Sequence, residues 1–218
     1  MLVPMRAILD AADKNGYAQG AFNVNAVCQV KAAVDVHQIL RSPAIIQGAD
    51  LANGFMGGRT DFANSTLEDK KAGAKNIGAA VKKYAADSDI PVALHLDHGK
   101  NFDSCIAAIE GGYTSVMIDG SSLPFDENVE LTREVVKYAH ERGVTVEGEL
   151  GVLAGVEDHV FAATSTYTNP LSAIDFFKKT GVDALAISYG TMHGANKGKN
   201  AVIRKEIAIA IKECMLHE

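Results

Sequence analysis

Six short runs rich in β-branched and apolar residues recur along the chain: GAFNVN (20–25), PAIIQG (43–48), PVALHL (91–96), TSVMID (114–119), VTVEGEL (144–150) and DALAISY (183–189). Longer amphipathic patterns separate them. In FDENVELTREVVKYAHERG, Asp126 and Glu127 suit a first helical turn, Leu131, Val135 and Tyr138 share a face, and Gly143 ends the helix. Strand and helix alternating at this spacing imply a parallel sheet with crossover helices, either doubly wound or closed into a barrel. No linker, sequence repeat or low-complexity tract divides the pattern.

The two architectures differ in where polar residues collect. A barrel builds its site from the C-terminal ends of many strands, whereas an open sheet concentrates it at one switch point. Here nearly every strand candidate ends in polarity: Asn23 and Asn25, then Gln47, Asp97 and His98, Asp119, Glu147 and Glu149, and His193 after the sixth. This convergence favours an α/β fold of the TIM (β/α)8 barrel type, with residues 1–218 as a single domain. Such a barrel takes eight units and about 250 residues, and this chain carries six units before its last helical pattern, AVIRKEIAIAIKECMLHE. It therefore reads as a portion of a longer barrel whose exposed strand edges favour pairing with other chains.

Composition narrows the partners. At 47% hydrophobic and 22% charged residues the chain is an ordinary globular one, and its net charge of −6 disfavours nucleic acid or an anionic membrane surface. The opening MLVPMRAILDAADKNG has acids and no sustained apolar core, so neither a signal peptide nor a membrane anchor is expected, and a cytoplasmic address follows. Cys28, Cys105 and Cys214 are odd in number and widely spaced, which argues for core thiols.

Three stretches carry chemistry. In LHLDHG, Asp97 and His98 are either a capping acid beside a surface histidine or two groups aimed at one ligand, while His95, deeper in the strand, suits a hydrogen-bonded core histidine. In SYGTMHGANKG, His193 follows an apolar strand with Lys197 four residues on, as a solvated loop or as an anion or metal site. In VEGELGVLAGVED, Glu147 and Glu149 share a strand face, which is costly without a cation, and Glu157 and Asp158 follow in a glycine-bearing loop. Two histidines and several carboxylates at successive strand ends suit a catalytic zinc site. On the residues alone the reading stops at a metal-assisted barrel enzyme.

GAFNVN, LHLDHG, SVMIDGSSLPFDENV, VEGELGVLAGVED and GVDALAISYGTMHG, in this order, closely resemble the class II, zinc-dependent fructose-bisphosphate aldolases. The resemblance implies aldol cleavage of fructose 1,6-bisphosphate to dihydroxyacetone phosphate and glyceraldehyde 3-phosphate, with tagatose-bisphosphate aldolase sharing the same motifs. It implies His98 and His193 as zinc ligands, and Asp97 as the acid exchanging a proton with the aldehyde-derived hydroxyl. Asp119 and Glu149 match carboxylates near the metal that can serve a second divalent or monovalent cation. Glu157 matches the loop acid that takes a proton from dihydroxyacetone phosphate, Asn23 and Gly194 match substrate-contacting positions, and Lys197 is placed to help with a phosphate.

The resemblance further implies a phosphorylated ketose substrate and a homodimer or homotetramer in the full-length form. The family's third zinc histidine and phosphate loops come from two more strands, which this sequence does not contain. Ala49 and Asn196 stand where many members have serine and tyrosine. Competing readings are another metal-dependent barrel lyase or isomerase, an inactive truncated paralogue acting as a binding module, and a doubly wound nucleotide-binding domain, the last poorly served because no GxGxxG or P-loop follows a strand.

Overall fold

The computed structural model describes residues 1–152, 155–157, 160–162, 166–194 and 202–216, with backbone alone at 155–157 and 160–162. Six parallel strands lie side by side in the order in which they occur: β1 (Ala21–Asn23), β2 (Ala44–Ala49), β3 (Val92–Gly99), β4 (Ser115–Ile118), β5 (Thr145–Leu150) and β8 (Ala184–Ile187). A doubly wound sheet reverses its order at a switch point. This one never does, so it curves as part of a barrel, with β1 and β8 at its edges. All six strand candidates enter the sheet, β1, β4 and β8 shorter than expected. A short antiparallel hairpin, β6 (Gly155–Glu157) with β7 (Val160–Ala162), was not expected.

Alternation along the strands sorts side chains between two environments. Ile46, Leu94, Leu96, Val116, Ile118 and Val146 point outward into one continuous core with the helices. Ile45 and Ala93 point inward at the N-terminal mouth, where helix α1 (Met5–Asn15) packs Met5 and Ile8 on them. α1 also reaches polar inner groups there, since the Arg6 amide donates to Thr145 Oγ1 at 3.1 Å. With that end plugged by apolar contact, the polar inward residues nearer the C-terminal strand ends are left to form a site.

The crossover helices are α2 (Val27–Leu40), α3 (Asp50–Met56), α4 (Leu67–Ala86), α5 (Phe102–Glu110), α6 (Phe125–His140) and α7 (Pro170–Thr180), and α8 (Lys205–Leu216) follows the last strand. α4 starts at a reciprocal capping box, in which Thr66 Oγ1 accepts from the Asp69 amide and the Asp69 carboxylate accepts from the Thr66 amide. Gly73 and Gly78 lie where α4 meets backbone: a Cβ at either would sit 1.7 Å from Asn53 O or 1.9 Å from Gly111 O.

As expected, Leu131, Val135 and Tyr138 share the face of α6 that packs on the core; Asn128, Val129, Thr132, Val136 and Ala139 are buried with them, and the helix ends at His140 before the left-handed turn at Gly143. One expectation needs correction. Only Cys105 is a core thiol; Cys28 and Cys214 are exposed. Among the described residues no helix is long and apolar enough to cross a membrane.

Candidate metal centre

Strict alternation would send the side chains of Asp97 and His98 to opposite faces of β3. A bulge prevents this. Leu96 pairs with Val116 and Gly99 with Ile118, so three steps on β3 match two on β4, and His98 takes up the extra residue with φ of 50°. Gly99 permits the close approach, because a Cβ there would lie 2.6 Å from Met117 O and 2.9 Å from Cys105 Sγ. Asp97 and His98 thus line one cleft of about 240 Å³, with Asn23, Gln47, Glu149 and His193 among the other lining residues. Larger clefts exist, one of about 480 Å³ beside α7 and Met215, but its lining is Ile174, Phe177, Lys178 and Met215 and lacks this chemistry.

At the centre, His98 Nδ1 lies 3.0 Å from Asp119 Oδ2 and 3.6 Å from Glu149 Oε2. A carboxylate at Nδ1 fixes the proton there and turns Nε2 outward as a ligand, the usual arrangement behind a metal-binding histidine. Asp119 is itself held, Oδ1 accepting from the Ser121 amide at 3.1 Å and Ser121 Oγ at 2.7 Å. Glu149 Oε2 is buried and accepts no hydrogen bond among the described residues. A buried carboxylate oxygen left open in this way is costly unless a cation meets it. His98, Asp119 and Glu149 each offer a ligand atom within 4.8 Å of the others, so the residues present fit a divalent ion.

Ionisation is shifted accordingly. Burial opposes the charged form of His98, but the Asp119 hydrogen bond and the charges of Glu149, Asp97 and Asp119 outweigh it and raise its pKa to about 9. Burial, reinforced by the charge of Asp119, pushes Glu149 up to about 8. Asp119 is held well below the usual carboxylate range: burial works against this, and hydrogen bonds from His98 and Ser121 prevail.

Around this centre the expected residues divide. The His193 ring meets His98 edge to face at 5.5 Å between centroids, and Asp97 Oδ2 accepts from Asn23 Nδ2 at 2.7 Å. Gly194, exposed and with φ of 83°, follows His193. Glu147 and Glu149 do share a face. His95 is buried as expected, its Nδ1 2.8 Å from Ser115 Oγ and its Nε2 3.2 Å from Glu147 Oε2, and it also lines the cleft. Asp158, Asn196 and Lys197 lie outside the described residues, as does the side chain of Glu157, whose backbone is in β6.

The sequence reading missed Ser121 and Lys100, whose ammonium lies 3.7 Å from Asp119 Oδ2. Ser121 was signalled by the Asp-Gly-Ser turn that lets Asp119 accept from the backbone two residues on. Lys100 was signalled only by adjacency to the LDHG turn.

The family model described as fructose-bisphosphate aldolase class-II matches residues 3–217. The chain belongs to the class II fructose-bisphosphate aldolase family. A fructose-bisphosphate aldolase of Treponema pallidum is 48% identical over 200 residues, covering 90% of this chain and 56% of its own length. One of Geobacillus stearothermophilus is 40% identical over 200 residues, with 91% and 64% covered. This family member thus spans little more than half to about two thirds of these relatives. Among solved structures, the YdjI aldolase of Escherichia coli K12 superposes with a TM-score of 0.77 at 28% identity, over 98% of this chain and 69% of that one. A protein from Coccidioides immitis assigned as a fructose-1,6-biphosphate aldolase gives 0.80 at 25% identity, with 96% and 68% covered.

Proposed function

We propose that these residues form the metal-binding part of an enzyme that cleaves fructose 1,6-bisphosphate to dihydroxyacetone phosphate and glyceraldehyde 3-phosphate, and catalyses the reverse condensation, with Zn²⁺ as cofactor. The observation that carries this is the meeting of Asp97, His98, Glu149 and His193 at one cleft in a chain of the class II family. His98, His193 and Glu149 would hold the ion, with Asp119 beside them fixing His98 through Nδ1. When bound, the ion supplies Lewis-acid polarisation of the ketone oxygen without a covalent lysine intermediate.

The chain's own groups supply the rest. Asp97, steadied by Asn23, exchanges a proton with the hydroxyl of the aldehyde half, a task that needs a carboxylate within hydrogen-bond reach of the reacting oxygen. Glu157 takes the proton from the carbon next to the ketone, Asn23 and Gly194 contact substrate, and Lys197 pairs with a phosphate. A single barrel domain closed between β1 and β8 by the further length that the relatives carry would provide a third histidine and the phosphate loops. The working protein in this reading is a cytoplasmic homodimer or homotetramer.

The test is Zn²⁺ content together with cleavage of fructose 1,6-bisphosphate and tagatose 1,6-bisphosphate, each with and without chelator, on protein of known intact mass. Chelator-sensitive cleavage of the fructose compound is expected. Preference for the tagatose epimer would move the substrate assignment, and bound zinc with no turnover would make the chain a binding module.

A further inference from the structure

Four carboxylates, Asp97, Asp119, Glu147 and Glu149, stand at or beside the cleft, more negative charge than one divalent ion neutralises. Among the described residues, Lys100 is the lysine or arginine that forms an ion pair with any of them. It leaves β3 immediately after the bulge that turns His98 inward, and its side chain is two-thirds covered, with the ammonium directed at Asp119 Oδ2. Both oxygens of Asp119 are therefore engaged: Oδ1 by the Ser121 amide and hydroxyl, Oδ2 by His98 and Lys100. Glu149 Oε2 is buried and accepts no hydrogen bond among the described residues.

We infer that Lys100 is a built-in cation that occupies the electrostatic place of a second metal ion at Asp119, so that the centre takes a single divalent ion and Asp119 serves as a positioning residue for His98 rather than as a ligand. The inference rests on the metal-site reading above and adds to it the number of ions bound. A second dication near Asp119 would lie within a few ångströms of that ammonium, and like charges at that range beside a buried carboxylate repel. An ammonium on a short tether also needs no uptake from solution, so the charge is balanced whether or not free cations are plentiful.

Equilibrium dialysis of the purified protein against graded Zn²⁺, read out by elemental analysis, tests this without recourse to turnover. Wild type should take up one ion per chain. Lys100→Met should take up two, the second at a Zn²⁺ concentration at least about tenfold below any at which wild type acquires a second ion. Lys100→Arg, which keeps the cation, should stay at one, and circular dichroism confirms that each variant is folded. Two ions of similar affinity on wild type, or one on Lys100→Met, overturn the inference and leave the single-metal reading standing. No Zn²⁺ on any of the three overturns both.

Discussion

His98 reaches the cleft because it adopts a left-handed backbone conformation, which only one other non-glycine residue, Arg41, shares among the described positions. Such conformations cost about 1 kcal/mol or more in a residue with a side chain and persist where the surroundings hold them. Here they are held by the β3–β4 bulge and by Asp119. The same contacts leave His98 protonated and Glu149 neutral near neutral pH in the metal-free protein. Ligation needs the opposite forms. Zn²⁺ uptake at pH 7 should therefore release up to two protons, falling towards none above pH 9, and calorimetry in buffers of different ionisation enthalpy counts them directly. An enthalpy that does not vary with buffer would show that these two groups are not the ligands. The role proposed for Asp97 is separate from theirs. Asp97→Asn should lower cleavage by roughly 10²- to 10⁴-fold at unchanged zinc content, whereas loss of zinc from that variant would make Asp97 a ligand.

At the scale of elements, α4 contradicts its own propensities in an informative way. Two interior glycines in a 20-residue helix cost about 1 kcal/mol each relative to alanine. The backbone of Asn53 and of Gly111 occupies the space their side chains would fill. Gly73→Ala should therefore destabilise the fold by about 1–3 kcal/mol instead of stabilising it, seen as a lower urea midpoint; a raised midpoint would mean that α3 can move away cheaply. This close packing could not be read from the glycines alone, since a helical glycine looks the same in sequence whether it is crowded or free.

The strands were more legible than the helix surfaces, because each β-rich run is bounded by turn residues and fully buried strands such as β3 admit little but apolar and site residues. α6 also carries polar residues on its buried side: Asn128 and Thr132 are buried, and Asn128 donates from Nδ2 to Glu149 O at 2.9 Å, tying the helix to the end of β5. The polar strand ends do converge, with Asn23, Gln47, Asp97, His98, Glu147 and Glu149 lining one cleft. The bulge that lets two adjacent residues enter it depends on cross-strand register, which local sequence does not encode.

At the scale of the whole molecule, the buried His98, Asp119 and Glu149 make stability depend on pH. His98 has a folded pKa of about 9 against an ordinary 6.5, so the stability from its protonated form is complete below pH 6.5 and is lost as pH rises through 9. Glu149 is shifted in the same sense, from 4.5 to about 8, so the preference of the fold for its neutral form fades between those values. Asp119 behaves oppositely: its contribution is present above its ordinary pKa of 3.8 and is lost only on strong acidification. The metal-free protein should thus be most stable near pH 5 and weaken steadily to pH 9. In the proposed metal site a bound divalent ion would reverse the balance, because it would hold neutral His98 and ionised Glu149, the forms favoured at high pH. Urea unfolding at pH 5.5 and pH 9, with chelator and with excess Zn²⁺, should show a fall in midpoint with chelator that zinc abolishes at the higher pH. Parallel falls with and without zinc would place the pH sensitivity elsewhere, with the Arg6, His140 and Asp183 cluster at the opposite mouth of the sheet as the next group to test.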